Sequence, residues 1–345
     1  MIEVTRYHDD KLIGRWLLIC AVTIFGMILL GGVTRLTESG LSMVDWQPIM
    51  GVIPPLSTAD WVYLFEQYKL FPEYQLINTG MSLDEFKQIF WFEYLHRVLG
   101  RFIGLLFFFP LMAFLWMGKV HPRLKPHLFA LLILGGCQGL MGWYMVQSGL
   151  VDRPDVSQYR LTAHLGLAIA IYGYIVWLTI GLFSPERTIR LGHASAALSL
   201  VPLVYLMILT GGFVAGTNAG LSFPTWPLMG DSFIPPALYR DGFVSVFEQV
   251  TTIHFNHRML AYATGLIVVT AALRSVLRSH DLRVRIASVL MMAAVTLQIV
   301  LGIGTVLSHV NVTIAAGHQS GAVVLLTTVL YWVHCKRTER MPSLS

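Results

Sequence analysis

Twelve histidines occur in the chain, and five of them, His96, His164, His254, His257 and His318, fall inside long apolar stretches. Four of the five, His96, His164, His257 and His318, stand at matching points of different stretches. A neutral imidazole ligates iron. Two of them on parallel helices facing across a bundle interior suit the two axial positions of a heme, whose apolar faces the helices would solvate. Two such pairs predict two bis-histidine sites. The competing reading is hydrogen bonding between helices, which accounts well for one intramembrane histidine and poorly for four at matching positions. Zinc fits less well, because two histidines without cysteine or carboxylate partners underfill a tetrahedral site. Arg97 and Arg258 directly follow His96 and His257, where each guanidinium could pair with a heme propionate or snorkel to lipid phosphate. Gly100, Gly104, Gly166 and Gly321 are expected to let a flat ring approach the backbone.

Glu93 precedes His96 by three residues, about one turn away on nearly the same helix face. The corresponding residue ahead of His257 is His254. A carboxylate beside one site and an imidazole beside the other points to chemistry in the first; the alternative is a helix-start acid favoured by the helix dipole.

The elements that must carry these residues are membrane helices. Of 345 residues, 55% are hydrophobic and 12% charged, against roughly 25% charged for a soluble domain. So few charges exclude nucleic-acid binders, cytosolic enzymes and disordered scaffolds. Eight apolar stretches approach the roughly 20 residues that a spanning helix needs: about Leu12 to Val33, Glu93 to Met117, Pro126 to Gln147, Leu161 to Phe183, Gly192 to Ala215, Thr251 to Leu273, Arg285 to Leu307 and Thr313 to Cys335. The first continues into Gly31-Gly32 without a small-residue cleavage site and reads as a retained helix. Fifteen Lys and Arg, Arg187, Arg190 and Arg340 among them, lie on the side of the termini and six, including Arg153, on the other, which places both termini in the cytoplasm. The other three, Arg97, Arg101 and Arg258, lie within spans. Of the remaining histidines, His8, His121, His127, His193, His280, His309 and His334 read as solvent or interface residues. Cys20, Cys137 and Cys335 show no metal spacing and read as small apolar fillers.

The eight spans are two copies of four. Gly31-Gly32-Val33, Gly40-Leu41-Ser42, Trp46, Met50-Gly51 and Ile53-Pro54-Pro55 align with Gly211-Gly212-Phe213, Gly220-Leu221-Ser222, Trp226, Met229-Gly230 and Ile234-Pro235-Pro236. Glu93 to Arg97 aligns with His254 to Arg258, Gln138 and Gly142 with Gln298 and Gly302, and His164 with His318. An even-numbered unit keeps its orientation, so the copies relate by an axis along the membrane normal. The expected fold is all-α: a polytopic membrane protein of eight transmembrane helices arranged as two pseudo-twofold-related four-helix bundles, residues 1–183 and 184–345. The longer first outer loop carries Ser57-x-x-Asp60 and Ser82-x-x-Glu85, both predicting short helices over the outer face.

The chain resembles the heme A synthase family in the form found in many proteobacteria and mitochondria. The resemblance runs from the first span to the eighth and rests on residues 31–42, on Phe90 to Arg101 with Glu93-Tyr-Leu-His96, on Ser148 to Arg153 with Tyr159 to His164, on Ala219 to Met229, on Phe255-Asn-His-Arg258 and on Gly317-His-Gln319. It implies an enzyme of the cell inner membrane that oxidises the C8 methyl of heme O to the formyl of heme A, by two hydroxylations and loss of water. It further implies His96 and His164 as ligands of the substrate heme in the first bundle, His257 and His318 as ligands of a heme b cofactor in the second, and Glu93 as the catalytic residue. Expected partners are the heme O synthase (a farnesyltransferase) that supplies the substrate, factors of terminal oxidase assembly and an unidentified electron donor or acceptor, with no nucleic acid. The farnesyl tail is expected to leave through a gap between helices. Some relatives carry a cysteine pair in the first outer loop; this chain has none there. The rival reading from another class is a di-heme quinol oxidoreductase subunit, which would stack two hemes at different depths, whereas the four histidines are expected at one depth, within two turns of the outer helix ends.

Overall fold

The computed structural model describes residues 2–44, 50–149, 156–184 and 197–339. Trp46, Arg153, Arg187, Arg190, His193 and Arg340 lie outside the described residues. Among the described residues, seven helices are long and apolar enough to cross a membrane: α1 Ile2–Leu36, α2 Leu83–Trp116, α3 Lys125–Gly149, α4 Gln158–Leu182, then, after the shorter apolar helix α5 Leu200–Gly216, α6 Val250–Arg278, α7 Leu282–Leu307 and α8 Val312–Arg337. No named strand occurs among the described residues. The all-α polytopic expectation holds.

Neighbour relations reproduce the repeat. In the first half α1 packs on α2 and α4, and α3 on α4, with α2 and α3 touching more sparsely; in the second, α5 packs on α6 and α8, and α7 on both α6 and α8. Each half is therefore a ring of four in which α2 and α4, or α6 and α8, stand diagonally. The halves meet through α4 with α5, α1 with α8, and α4 with α8. Exchanging the halves maps the first contact onto the second and the third onto itself, as a pseudo-twofold requires.

The two Gly-Gly doublets explain how the rings and their interface coexist. A Cβ on Gly31 would stand 2.9 Å from His96 within its own ring, and one on Gly32 would stand 2.3 Å from Gln319 of the other half. Gly211 likewise faces His257 at 3.4 Å and Gly212 faces Thr162 of the other half at 2.9 Å. One glycine admits a histidine and the next admits the neighbouring bundle. Gln319 secures this seam by donating from Nε2 to the Ile28 carbonyl at 2.6 Å. Apolar side chains fill the rest of the interior, among them Leu17, Leu111, Ile169, Ile175, Val204, Val268, Met291 and Val329, all at most 1% exposed.

Only one of the two capping boxes starts a separate surface helix. Ser57 and Asp60 cap the helix Thr58–Tyr68, and the amides of Ser57 and Leu56 together with the Ser57 hydroxyl hold the Asp60 carboxyl below the usual carboxylate range. Ser82 and Glu85 instead cap α2 itself. This helix of 34 residues is about 51 Å long at 1.5 Å per residue, so its first turns project beyond an apolar core of about 30 Å. Phe86, Phe90 and Tyr94 of that projection pack with Phe65 and Tyr68 of the surface helix. The expectation failed because the aromatic-rich residues 86–94 run without a break into the apolar stretch and continue the same helix outward.

Candidate functional site

His164, His257 and His318 lie within the first three turns of α4, α6 and α8, and His96 in the fourth turn of α2, deeper into its helix than expected because α2 begins at Leu83 rather than near Glu93. His96 and His164 stand on one diagonal of the first ring, and His257 and His318 on one diagonal of the second. The other diagonal supplies glycine: His96 lies against Gly31 of α1, His164 against Gly142 of α3, His257 against Gly211 of α5 and His318 against Gly302 of α7, with Cβ positions 2.9, 3.0, 3.4 and 2.8 Å from the respective imidazole carbons. A side chain at Gly31, Gly142 or Gly302 would press on the ring, and one at Gly211 would rest against it. All four histidines are half-buried. Each ring thus presents two opposed imidazoles inside an apolar bundle, a donor set that fits the axial bonds of a heme.

The close approach expected at other glycines takes different forms. Gly166 packs on Leu209 and Tyr205 of α5, Gly321 on the Gln298 side chain and Gly100 on Met27, while a Cβ at Gly104 would meet nothing within 4 Å. Sequence repetition pointed to Gly31, Gly142, Gly211 and Gly302, but not to what each touches.

The second half gives each of its imidazoles an Nδ1 acceptor, and the first leaves His96 without one. Thr210 Oγ1 donates to the Met207 carbonyl at 2.8 Å and lies 2.8 Å from His257 Nδ1. Its one proton is committed, so the hydroxyl accepts from Nδ1–H and His257 keeps the Nε2 lone pair free. His318 Nδ1 stands 3.2 Å from the Gln298 carbonyl, which can only accept, and the same tautomer follows. In the first half, His96 Nδ1 is buried with no hydrogen-bond partner, and the residue ahead of the Gly-Gly doublet is Leu30 in place of Thr210. His164 Nδ1 meets the Gln138 side-chain amide, with Nε2 of Gln138 at 3.2 Å. Hydrogen bonds from Nδ1–H to a fixed acceptor orient a ligating imidazole and raise its basicity. The signal for Thr210 in the sequence was its mismatch with Leu30 inside an otherwise matching motif.

Glu93 and His254 occupy one structural role with different chemistry. Glu93 is 3% exposed; its Oε2 accepts from Ser42 Oγ at 2.8 Å and from the Met43 amide at 2.6 Å, and its Oε1 pairs with Arg97. Arg97 also donates to the Met43 carbonyl at 2.8 Å. His254, 2% exposed, accepts from Arg258 Nε at 3.1 Å, while Arg258 donates to the carbonyls of Phe223, Thr225 and Leu228 at 2.8, 2.9 and 3.2 Å. In both halves an arginine next to a candidate ligand fastens the outer loop to the helix, and the residue four positions before it is its partner. These loop contacts were not legible in the sequence.

The other polar residues sort as follows. His127 Nδ1 meets the Tyr174 hydroxyl at 2.6 Å. His334 is buried, edge-on to Trp177, and not a solvent residue, because α8 stays packed through its last turns to Arg337. Cys20 and Cys335 are buried fillers, whereas Cys137 is exposed on α3.

The chain matches the model of the cytochrome oxidase assembly protein family, COX15-CtaA, over residues 14–330. It is 47% identical over 336 residues to a protein named heme A synthase from Nitrosospira multiformis, covering 95% of this chain and 94% of that one. It is also 47% identical over 338 residues to heme A synthase from Paramagnetospirillum magneticum, covering 95% and 94%, and 47% identical over 335 residues to that from Agrobacterium fabrum, covering 94% and 90%. Similarity at this level over nearly the whole length, on a repeat of eight helices with histidines opposed across each ring, makes the chain a member of the COX15-CtaA cytochrome oxidase assembly protein family.

Proposed function

We propose that this protein is a membrane-bound heme A synthase, an oxidoreductase that converts heme O to heme A. The relatives' shared name supports the reaction, and the paired histidines support heme as the group handled. Within that reaction, residues 1–183 form the bundle that receives heme O on His96 and His164, and residues 184–345 form the bundle that holds heme b on His257 and His318.

One observation carries this division: the imidazoles of the second half have Nδ1 acceptors that leave Nε2 free, while in the first His96 Nδ1 has no partner and His164 Nδ1 meets the amide nitrogen of Gln138. Loss of such a partner typically weakens a metal site by about 10–100-fold. A resident cofactor needs retention, and a substrate must leave once oxidised. Heme b would supply an electron-transfer centre beside the reacting heme.

Glu93 is the candidate catalytic group. It lies one turn from His96, and its charge is stabilised by Arg97, so a carboxylate is held ready to favour cationic character at a substrate carbon or to take a proton from it. To reach a ring edge it must release Ser42 or the Met43 amide, which couples its approach to movement of the outer loop. Arg97 and Arg258 remain candidates for propionate contacts.

The enzyme belongs in the cell inner membrane with both termini cytoplasmic, next to the heme O synthase that releases its substrate and the oxidase assembly factors that take its product. Pigment extracted from the purified protein tests the reading: heme O or heme A beside heme b supports it, and two hemes b per chain assign it to electron transfer instead.

A further inference from the structure

Each half sets an arginine directly after a candidate ligand, and only one of the two arginines has an acid for its partner. In the first half Arg97 pairs with Glu93, so the two together add no net charge. In the second half the repeat puts His254 where Glu93 stands. His254 Nε2 accepts from Arg258 Nε at 3.1 Å; an imidazole that accepts at one nitrogen holds its proton on the other and is neutral. Among the described residues no carboxylate forms an ion pair with Arg258, Asp231, Asp241 and Glu248 of its own outer loop included.

Arg258 is nonetheless only 7% exposed. Neutral dipoles hold it there: the carbonyls of Phe223, Thr225 and Leu228 accept at 2.8, 2.9 and 3.2 Å. Carbonyls satisfy the guanidinium locally but carry no net charge, so its field extends beyond them, and a buried surrounding screens that field far less than water does. The contact with His254 fixes where the charge sits. His254 and His257 are three residues apart on α6, neighbours with Cβ atoms about 5–6 Å apart. The guanidinium is therefore held within about one helical turn of the His257 ligand position.

We infer that the charge of Arg258 raises the reduction potential of heme b, and that His254, by standing where the first half has an acid, is what leaves this charge uncancelled. This rests on heme b being held by His257 and His318. Reduction of a ferric heme adds one electron and lowers the charge of the site by one, so a fixed cation nearby favours the reduced form. The effect needs only proximity, not contact with the ring. A propionate arrives with the heme in either half and leaves the contrast between the two arginines in place. The second half thus takes up an electron more readily than it would with the Glu93–Arg97 arrangement of the first.

The test is a spectroelectrochemical titration of heme b in full-length protein in detergent, with His96→Ala as the parent so that a single heme is read. In that parent Arg258→Gln is expected to lower the equilibrium constant for reduction about tenfold, which is about 59 mV for one electron, while Arg258→Lys, which keeps the charge, stays within about threefold. His254→Glu supplies the missing counter-charge and is expected to lower the constant in the same way; His254→Gln, of the same shape and without charge, is not. An unchanged potential in Arg258→Gln, or an equal fall in Arg258→Lys, overturns the role of the charge. Should Arg258→Gln not retain heme b, His254→Glu against His254→Gln makes the same comparison, and equal potentials overturn it. His257→Ala, made in the otherwise unaltered protein, separates the two levels. Heme b that persists there overturns its placement in the second half and the inference with it. Loss of heme b there, with equal potentials in the parent and Arg258→Gln, overturns the role of Arg258 alone.

Discussion

The hydroxyl of Thr210 accepts a hydrogen bond from Nδ1 of His257 across 2.8 Å, having given its own proton to the Met207 carbonyl. Leu30 fills the equivalent place beside His96. One difference between the copies of the repeat thus gives His257 an Nδ1 acceptor that His96 lacks.

Thr210→Val keeps the shape of the side chain and removes the acceptor. Heme b retention, followed as transfer to a competing heme acceptor in detergent, is expected to weaken about 10–100-fold, with the bis-histidine spectrum shifted but present. Leu30→Thr should act in the opposite sense on the first half, slowing release of its heme. Equal transfer rates for parent and Thr210→Val would show that the hydrogen bond does not support the ligand.

Glu93→Gln is expected to keep both hemes and make little heme A, with heme O or a partly oxidised heme accumulating. The variant also removes the carboxylate that pairs with Arg97 at a buried site, a loss that commonly costs about 3–5 kcal/mol. The double variant Glu93→Gln, Arg97→Gln removes the stranded charge. Heme analysis of cells carrying each variant decides the role: a catalytic Glu93 leaves the double variant inactive, whereas recovery of heme A in it reduces Glu93 to an anchor for the loop at Ser42 and Met43.

The second glycine of each doublet is predicted to govern the joint between halves. Gly32→Leu and Gly212→Val force side chains against Gln319 and Thr162, and overpacking of this kind costs about 1–3 kcal/mol. Thermal unfolding in detergent should begin at lower temperature in both. Gly31→Leu should instead lower heme content in the first half, because its Cβ meets His96. Loss of heme from Gly32→Leu with unfolding unchanged would contradict this partition.

Much of this was legible from residues alone. The repeat, the four histidines and the Gly-Gly doublets follow from spacing, because each span must satisfy its own backbone and so declares itself as an apolar run. What touches each glycine was not legible, since the contact lies on another helix: Gly166, expected beside a porphyrin, instead packs on Tyr205 and Leu209 between the halves. The outer end of α2 was missed because Phe86, Phe90 and Tyr94 are matched by Phe65 and Tyr68 of a separate surface helix rather than by lipid. The arginine clamps were missed for a related reason: the carbonyls of Met43, Phe223 and Thr225 carry no side-chain signature of being acceptors.

The division of labour between the halves is tested most directly by the heme composition of two purified single variants, His96→Ala and His257→Ala. His96→Ala is expected to retain heme b with its bis-histidine spectrum and to contain no heme O or heme A. His257→Ala is expected to lose heme b. Retention of heme b by His257→Ala together with its loss from His96→Ala would contradict the account and exchange the roles of the two bundles.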